Sequence, residues 1–523
     1  SEAVNVKELE VRYEDAPIIS FCLPFIFVLT EASFSQALSR TLNPSNDSPP
    51  TTICIVGSGI GGSSAAHFLR RHSPSILGRI RMFEGHGIVG GRMSTVTVGG
   101  DNFEAGASIL HPKNLHALNL SKLLNLRKKK PSSSPFSLGI WDGNEFIFKT
   151  LNPQTSGPIF EKIVSLANSI RVLWRYGFSL LRMHNFVESA VDNFLSYYKS
   201  FELRPAFETV DEMLQWSGLY NLTRRTLQEE LTDAGLSPLL IQELVTRSLR
   251  FEIFGKLLEV ITRINYGQSA CISGLAGAVS LAGSGGGLWS IEGGNWKIAA
   301  GLINISNVDL HLSEAIESIA NLGDHYELNS TKGNSYLCDA TVIATPLDEL
   351  NIHFVPPISI PERKLQHTHA TFIRGLLNHE YFGLDVASEI PELVGTVEVP
   401  DLPFTSISVL KQHNEKDSTY KIFSRKPLSE NLLDDLFRVR NETVHIDWGA
   451  YPHYHAPEAF APFILDGRHL YYINAFENAA STIETGVVAA ENVARLILSR
   501  QSRQGNCELK SPVNDAEGLH LDL

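Results

Sequence analysis

The chain predicts an α/β fold, on three observations. A β-branched run, Thr51–Val56, passes through a glycine-rich turn into Gly62–Arg71, a stretch of helical composition. A second strand-like run, Arg79–Phe83, comes directly after. Far downstream a strand-like segment, Leu470–Ile473, leads into a last helical stretch, Thr485–Ser499. Strand, turn, helix and strand at the start, with a matching strand and helix at the end, describe a Rossmann-type domain assembled from discontinuous segments.

At 523 residues the chain has room for two or three domains. A hydrophobic share of 43% and a charged share of 19% are globular values. The net charge of −13 argues against nucleic acid, which needs a basic surface to neutralise phosphates. The one basic cluster, Arg127–Lys130, precedes the stretch PSSSPFS and reads as a solvated loop. Five cysteines are too few and too scattered for a disulfide framework. Cys54 and Cys338 lie in apolar strand-like runs and read as buried thiols. No CxxC or His/Cys spacing predicts a metal site, and His445, His453 and His455 fall in or near a Pro/Tyr loop instead.

The first residues suggest targeting. Ala16–Thr30 is uncharged and mostly apolar, too short to span a membrane, and Ser35-Gln36-Ala37 has a small-x-small cleavage pattern. This predicts a leader over 1–37 and entry to the secretory pathway, although Glu2, Glu8, Glu10, Glu14 and Asp15 make the preceding segment acidic. Asn-x-Ser/Thr sequons stand at Asn46, Asn119, Asn221, Asn304, Asn329 and Asn441. Residues 38–50 read as a Pro/Ser/Asn linker.

From about Pro158 to Arg263 the apolar spacing is helical. Trp174, Phe178 and Phe186 in that region read first as core and second as the lining of an apolar tunnel. Tyr266–Ile291 carries no charged side chain but is rich in Gly and Ser, and reads as buried irregular chain. Strand-like segments return at Val308–Leu312 and Thr341–Ala344, and the tail from Gln501 is polar.

The chemistry begins at Gly57-Ser58-Gly59-Ile60-Gly61-Gly62, directly after the strand. Gly57 permits a tight turn, Gly59 lets the backbone approach a pyrophosphate, and Gly62 lets the helix pack closely so that its N-terminus faces the phosphates. Glu84 closes the second strand 22 residues after Gly62 (84 − 62), where a carboxylate would accept hydrogen bonds from ribose hydroxyls. The context on both sides makes this a dinucleotide-binding signal.

The sequence after Glu84 resembles the amine-oxidase-like flavoproteins. Gly90-Gly91-Arg92 and Phe103-Glu104-Ala105-Gly106-Ala107-Ser108 come next, then Glu292-Gly293-Gly294-Asn295, Leu310–Ile319 and the helix Glu484–Arg495, in the family's order. More specific strings resemble the prenylcysteine oxidase, or farnesylcysteine lyase, family. They are Arg263–Gln268, Gly277–Leu281, Trp289, Ala344–Leu347, Tyr420–Ser424 and Ala450–Tyr454, and the likeness spans about Thr51 to Arg500.

The resemblance implies a glutathione-reductase-like FAD-binding domain with an α+β substrate domain. Its parts would be 51–115, 291–350 and 441–500 for FAD, and 116–290 and 351–440 for substrate, with 501–523 a tail. FAD would contact Gly57, Ser58, Gly59, Gly61, Gly62, Glu84, Gly91, Arg92, Gly106, Ala107, Ile316, Glu477, Glu484 and Thr485. Tyr266, Gln268, Tyr451 and Tyr454 are candidates for the substrate side, with core packing an equal reading. Lys297 reads as solvated.

The implied reaction is oxidation of S-farnesyl- or S-geranylgeranylcysteine by FAD and O2 to prenyl aldehyde, cysteine and hydrogen peroxide, a step in the breakdown of prenylated proteins. The expected setting is a lysosome or vacuole, with room for peripheral membrane contact. The rival readings are an amine or isoprenoid oxidoreductase on the same scaffold, and a flavin-containing lipid-binding protein without turnover.

Overall fold

The computed structural model describes residues 51–72, 77–129, 137–150, 179–199, 204–236, 255–399 and 401–508. Five parallel strands, β1 (Thr51–Val56), β2 (Leu77–Phe83), β7 (Asp309–His311), β11 (Ala340–Ile343) and β18 (Leu470–Tyr472), form one sheet in the order β18-β11-β1-β2-β7. The run Ile53–Val56 at its centre is buried, as its apolar, β-branched composition requires. Helix α1 (Ile60–His72) leaves β1 through the glycine turn and ends on Arg70, Arg71 and His72, basic residues suited to a helix C-terminus. It packs between α8 (Trp296–Ile305) and α10 (Ile483–Glu508).

A smaller sheet, order β10-β9-β8-β12, is built from β8 (Ile316–Asn321), β9 (Tyr326–Ser330), β10 (Ser335–Cys338) and β12 (His353–Val355). A seven-stranded sheet carries the other half of the molecule. It comprises β5 (Leu138–Trp141), β6 (Phe146–Lys149), β13 (Leu365–Leu377), β14 (Leu393–Thr396), β15 (Ser406–Asn414), β16 (Asp417–Ser424) and β17 (Phe437–Pro452), in the order β17-β13-β16-β15-β14-β5-β6. A two-stranded ribbon, β3 (Thr95–Val98) and β4 (Asp101–Glu104), lies against β13 and β17.

The remaining helices are α2 (Leu115–Leu123), α3 (Ser179–Phe194), α4 (Val210–Ser217), α5 (Leu227–Asp233), α6 (Gly255–Tyr266), α7 (Gly274–Ala282) and α9 (Glu430–Leu436). Capping boxes Thr209/Glu212 and Thr226/Glu229 fix where α4 and α5 begin. Among the described residues no helix is long and apolar enough to cross a membrane.

The predicted α/β class and its discontinuous parallel sheet are both present. Four local expectations change. Cys54 and Cys338 are not free thiols: a disulfide joins them across 284 residues, tying β1 to β10. Two strand-like runs that end up side by side can bring their thiols together, and linear spacing alone does not reveal it. The stretch 266–291 contains a buried helix, α7, capped by the Ser273 side chain, because its glycines face close neighbours such as Leu227. Lys128 and Lys129 are exposed but not in a free loop. Their backbone bridges the 289–291 segment, and the Lys128 ammonium lies 4.4 Å from the Trp289 ring centroid. The last helix continues to Glu508, past the predicted start of the tail. The leader, the linker, Asn46, Lys130, Trp174, Phe178 and the tail beyond Glu508 lie outside the described residues.

Candidate active site

The glycine turn forms an open cradle at the end of β1. Gly57 has φ +107°, and a side chain there would meet the Ala344 carbonyl oxygen at 2.7 Å, so the turn is held against the end of β11. A Cβ on Gly62 would lie 2.0 Å from the Gly57 oxygen, which fixes the helix hard against the turn. At Gly59 the situation differs: the nearest atoms to a Cβ, Gly90 O and Gly91 Cα, are 3.9 Å away. The first hydrogen bond within α1 runs from Ser63 N to Gly59 O, so the N–H groups of 60–62 have no acceptor inside the helix. A phosphate is the natural acceptor for such a helix start.

The parts around this cradle are drawn in by backbone bonds. Gly90 N donates to Ser58 O at 3.2 Å, laying the Gly90-Gly91-Arg92 turn over the fingerprint. Glu84 is buried, and its carboxylate accepts from Ser58 N at 3.2 Å, Ser58 Oγ at 2.5 Å and His86 N at 3.0 Å. Glu314 N donates to Glu84 O and Ser313 N to His86 O, which places the start of β8, and with it Ile316, beside Glu84. On the far side Gly61 packs on Ile473 and Gly486 on Ile60, so the starts of α1 and α10 adjoin. An open space at Gly59, unclaimed helix-start N–H groups and a carboxylate where a ribose would lie fit a dinucleotide such as FAD.

Beyond Arg92 the cleft becomes aromatic and charged. Ala107 N donates to Arg92 O at 3.0 Å, and a Cβ on Gly106 would strike that same oxygen. The Arg92 guanidinium donates to Ala450 O at 2.8 Å and pairs with Glu477. Glu477 is buried between Arg92 and Arg363, and the two guanidiniums hold its carboxyl down at about 2 against the pull of burial.

Next to it three tyrosines meet: the Tyr266 ring lies 5.0 Å from both Tyr451 and Tyr454, edge-on to each. Tyr266 Oη donates to Ser481 O at 3.2 Å, and Ser481 N donates to Tyr454 Oη at 2.8 Å. Burial pushes Tyr451 up to about 12 and raises the other two as well, so all three stay neutral; Tyr266 and Tyr454 belong to a buried hydrophobic cluster and Tyr451 packs against it. An open apolar cavity of about 690 Å³ lies elsewhere, behind the 88–95 loop and against Trp296, Ile303 and Leu310; none of these tyrosines lines it.

The sequence profile described as prenylcysteine lyase matches residues 159–508. Farnesylcysteine lyase of Arabidopsis thaliana is 60% identical over 97% of this chain and 100% of its own length. The chain belongs to the prenylcysteine lyase family. Prenylcysteine oxidase 1 of Homo sapiens, a more distant relative, is 34% identical over 86% of this chain and 90% of its own. A profile for NAD(P)-binding Rossmann-like domains matches residues 55–123.

Among solved structures, cyclohexylamine oxidase from Brevibacterium oxydans superposes with a TM-score of 0.55 at 16% identity, covering 87% of this chain and 100% of that one. Putrescine oxidase bound to putrescine also superposes at 0.55, with 13% identity, 86% of this chain and 100% of that one covered. These two share the fold.

Within this family fold the predicted residues separate into two groups. Gly57, Ser58, Gly59, Gly61, Gly62, Glu84, Gly91, Arg92, Gly106, Ala107, Ile316 and Glu477 are brought together by a chain of contacts running from the fingerprint to Arg92. Glu484 is different: its carboxylate accepts from His116 N at 2.7 Å, Ala117 N at 3.0 Å and Tyr198 Oη at 2.7 Å, so it caps α2 and its side chain is not available to a cofactor. Thr485 closes its own helix by exchanging bonds with Thr482, leaving the backbone of that turn as the feature that meets α1.

Gln268 is also committed. Its amide donates to Pro452 O at 2.9 Å and accepts from Tyr454 N at 2.9 Å, so it clamps the tyrosine loop. Lys297 donates to Glu292 O at 2.8 Å and closes the Gly293-Gly294 turn. Phe186 packs on the hydrophobic core, and no group of three or more metal-ligating side chains converges among the described residues.

Two pairs escaped the sequence. Arg363 and Asp348 form a buried fork beside Glu477; Arg363 sits in the polar segment PERK, which offers no periodic or glycine signal. Lys421 lies buried with its Nζ 3.1 Å from Glu104 O, and burial lowers it to about 8 while raising Glu104 to about 7. Lys421 is part of the string Tyr420–Ser424, and only its position, buried among aromatics, marks it.

Proposed function

We propose that this chain oxidises S-farnesyl- and S-geranylgeranylcysteine, with water and O2, to the prenyl aldehyde, free cysteine and hydrogen peroxide. The observation that carries the reading is the 60% identity to farnesylcysteine lyase over the full length of that enzyme, with the family strings gathered around a dinucleotide cradle. Bound FAD supplies the hydride acceptor for the carbon between sulfur and alkene.

That carbon has no acidic proton, so the chain needs to orient it and admit a water to it more than to deprotonate it. The neutral tyrosines Tyr266, Tyr451 and Tyr454 suit such a role, because their raised pKa values leave no base at the wall. The cofactor contacts we assign are those that line the cleft, from Gly57 to Glu477, together with the backbone but not the carboxylate of Glu484. The seven-stranded sheet and the helices 116–290 form the substrate side of this assignment.

We place the protein in the secretory pathway, ending in a lysosome or vacuole. The buried Cys54–Cys338 disulfide supports an oxidising compartment. Asn119, Asn221, Asn304 and Asn441 are exposed and open to glycosylation, whereas Asn329 Nδ2, on β9, donates to Ser318 Oγ on β8. A glycosidase mobility shift on the expressed protein tests this; an unshifted, unprocessed cytosolic chain overturns it.

The catalytic reading is tested by peroxide release from farnesylcysteine, geranylcysteine and an internal farnesylcysteine peptide. Removing one five-carbon unit should lower kcat/KM roughly five- to two-hundred-fold, on the order of 1–3 kcal/mol after ordering costs. The peptide, lacking the free amine and carboxylate, should be poor. Equal kcat/KM for all three would overturn the assignment.

A further inference from the structure

Glu477 does not hold Arg92 unaided. Arg363 donates from Nε and Nη2 to the two oxygens of Asp348 at 2.7 and 2.9 Å, and from the same Nη2 to Glu477 at 3.1 Å. It also donates to Tyr472 Oη and to Asn474 O, each at 3.3 Å, so every nitrogen of the fork is engaged. Asn474 Nδ2 and Ser481 Oγ donate to Glu477 from the remaining sides. Asp348, Glu477 and Arg363 all have side chains at or below 10% exposure, whereas Arg92 is 32% exposed.

The four charges come from four separated stretches: the turn after β2, the loop after β11, the approach to β13 and the turn before α10. Two guanidiniums and two carboxylates balance. Removing Arg363 would leave two buried carboxylates and only Arg92 to compensate them, and Glu477 Oε2 would keep only the neutral Asn474 amide as a donor.

We propose that Arg363 is a positioning residue of the flavin site: it orients Glu477, and through Glu477 it sets the guanidinium of Arg92 toward the cofactor, while Asp348 anchors Arg363 to the loop after β11. The proposal rests on Arg92 meeting FAD. Only arginine offers a planar fork that serves two carboxylates at once; a lysine ammonium supplies the charge but not both bonds in fixed geometry.

The test is a double-mutant cycle on FAD affinity, measured by titrating FAD into the full-length apoprotein and following flavin fluorescence, with the visible spectrum of the bound flavin as a second readout. Arg363→Gln should weaken FAD binding tenfold or more in the wild-type background and by less than twofold in an Arg92→Gln background. Arg363→Lys should fall between wild type and Arg363→Gln.

Because Arg363→Gln strands the Asp348 carboxylate, the pair Arg363→Gln/Asp348→Asn, which keeps neutral hydrogen-bonding partners, is run through the same cycle and should behave alike. Equal losses in both backgrounds would assign Arg363 a purely structural role and overturn the proposal, as would undiminished affinity. Wild-type protein that takes up no FAD would instead overturn the cofactor reading itself.

Discussion

Two glycines of the fingerprint should fail in different ways when a single methyl group is added. A Cβ at Gly62 would lie 2.0 Å from Gly57 O and 3.1 Å from Ile55 Cγ2, whereas at Gly59 nothing lies nearer than 3.9 Å. Real Cβ atoms essentially never come within 3.0 Å of such a neighbour, so Gly62→Ala must part the turn and the helix by about 1 Å (3.0 − 2.0). Overpacking of that kind costs about 1–3 kcal/mol, and only about 1 kcal/mol returns through the better helix propensity of Ala.

The net loss, up to about 2 kcal/mol, should lower the melting temperature of the Gly62→Ala apoprotein by about 1–2 °C at this chain length. Gly59→Ala should melt with wild type, because its methyl enters open space. That space is where we place the pyrophosphate, so its FAD affinity should fall at least tenfold, about 1.4 kcal/mol. Thermal scans of both apoproteins and FAD titrations give the four numbers needed. Wild-type FAD affinity in Gly59→Ala would refute the cradle, and a wild-type melting temperature in Gly62→Ala would refute the packing argument.

Three more outcomes come from the same geometry. Glu84→Gln keeps an acceptor for Ser58 but removes the charge from the ribose site, so FAD affinity should fall about tenfold, near the lower end of ~1.5–3 kcal/mol for a charged hydrogen bond; a change under twofold would exclude Glu84 as ribose ligand. Replacing Cys54 and Cys338 by Ala removes a covalent tie between β1 and β10 and should cost roughly 2–4 kcal/mol, read as a lower denaturant midpoint; an unchanged midpoint under oxidising conditions would show that the bond contributes nothing. His67 is buried in α1 and burial lowers its pKa from 6.5 to about 4, so the folded state keeps it neutral while the unfolded state protonates it. Its contribution is complete above 6.5 and is lost as pH falls toward 4, on the order of 1–2 kcal/mol by pH 5. Stability of His67→Gln should fall less than wild type between pH 7 and pH 5, and parallel pH curves would sink this attribution.

The fingerprint was legible because it is local: a buried strand, a turn that only glycine can make, and a helix start succeed each other in the chain. β1 begins and ends at the predicted residues, and α1 starts only two residues before the predicted helical stretch. The strand at 470 and the closing helix were legible through the same periodicity. The illegible part lies in side chains that meet across the fold. Nothing in linear spacing tells that Cys54 and Cys338 share a bond, that Glu484 turns away to cap α2, or that Arg363 joins Asp348 to Glu477. The helix α7 was missed for a different reason. Its glycines weaken helix propensity, and they are tolerated because Gly277 faces Leu227, whose side-chain carbons lie 2.6 Å from where a Cβ would be.

The fingerprint segment alone does not make a binding site. The Gly57 turn is shaped by Ala344, Gly61 packs on Ile473, Gly486 packs on Ile60, and Arg92 is set by Glu477 and Ala450. Each of those partners arrives hundreds of residues after Gly57, so the cradle closes only when β18 and the start of α10 dock. Apolar packing alone would leave such a joint free to settle in several registers, since side chains of similar size can exchange places. A buried fork such as Arg363–Asp348–Glu477 admits one arrangement, because any other leaves a charge without a partner. The disulfide fixes the first joint, between β1 and the small sheet, and the charge network fixes the last, between the closing turn and Arg92. A covalent tie thus joins the fingerprint strand to the small sheet and an ionic one joins the closing turn to Arg92, and both stand at junctions between segments that lie far apart in the chain.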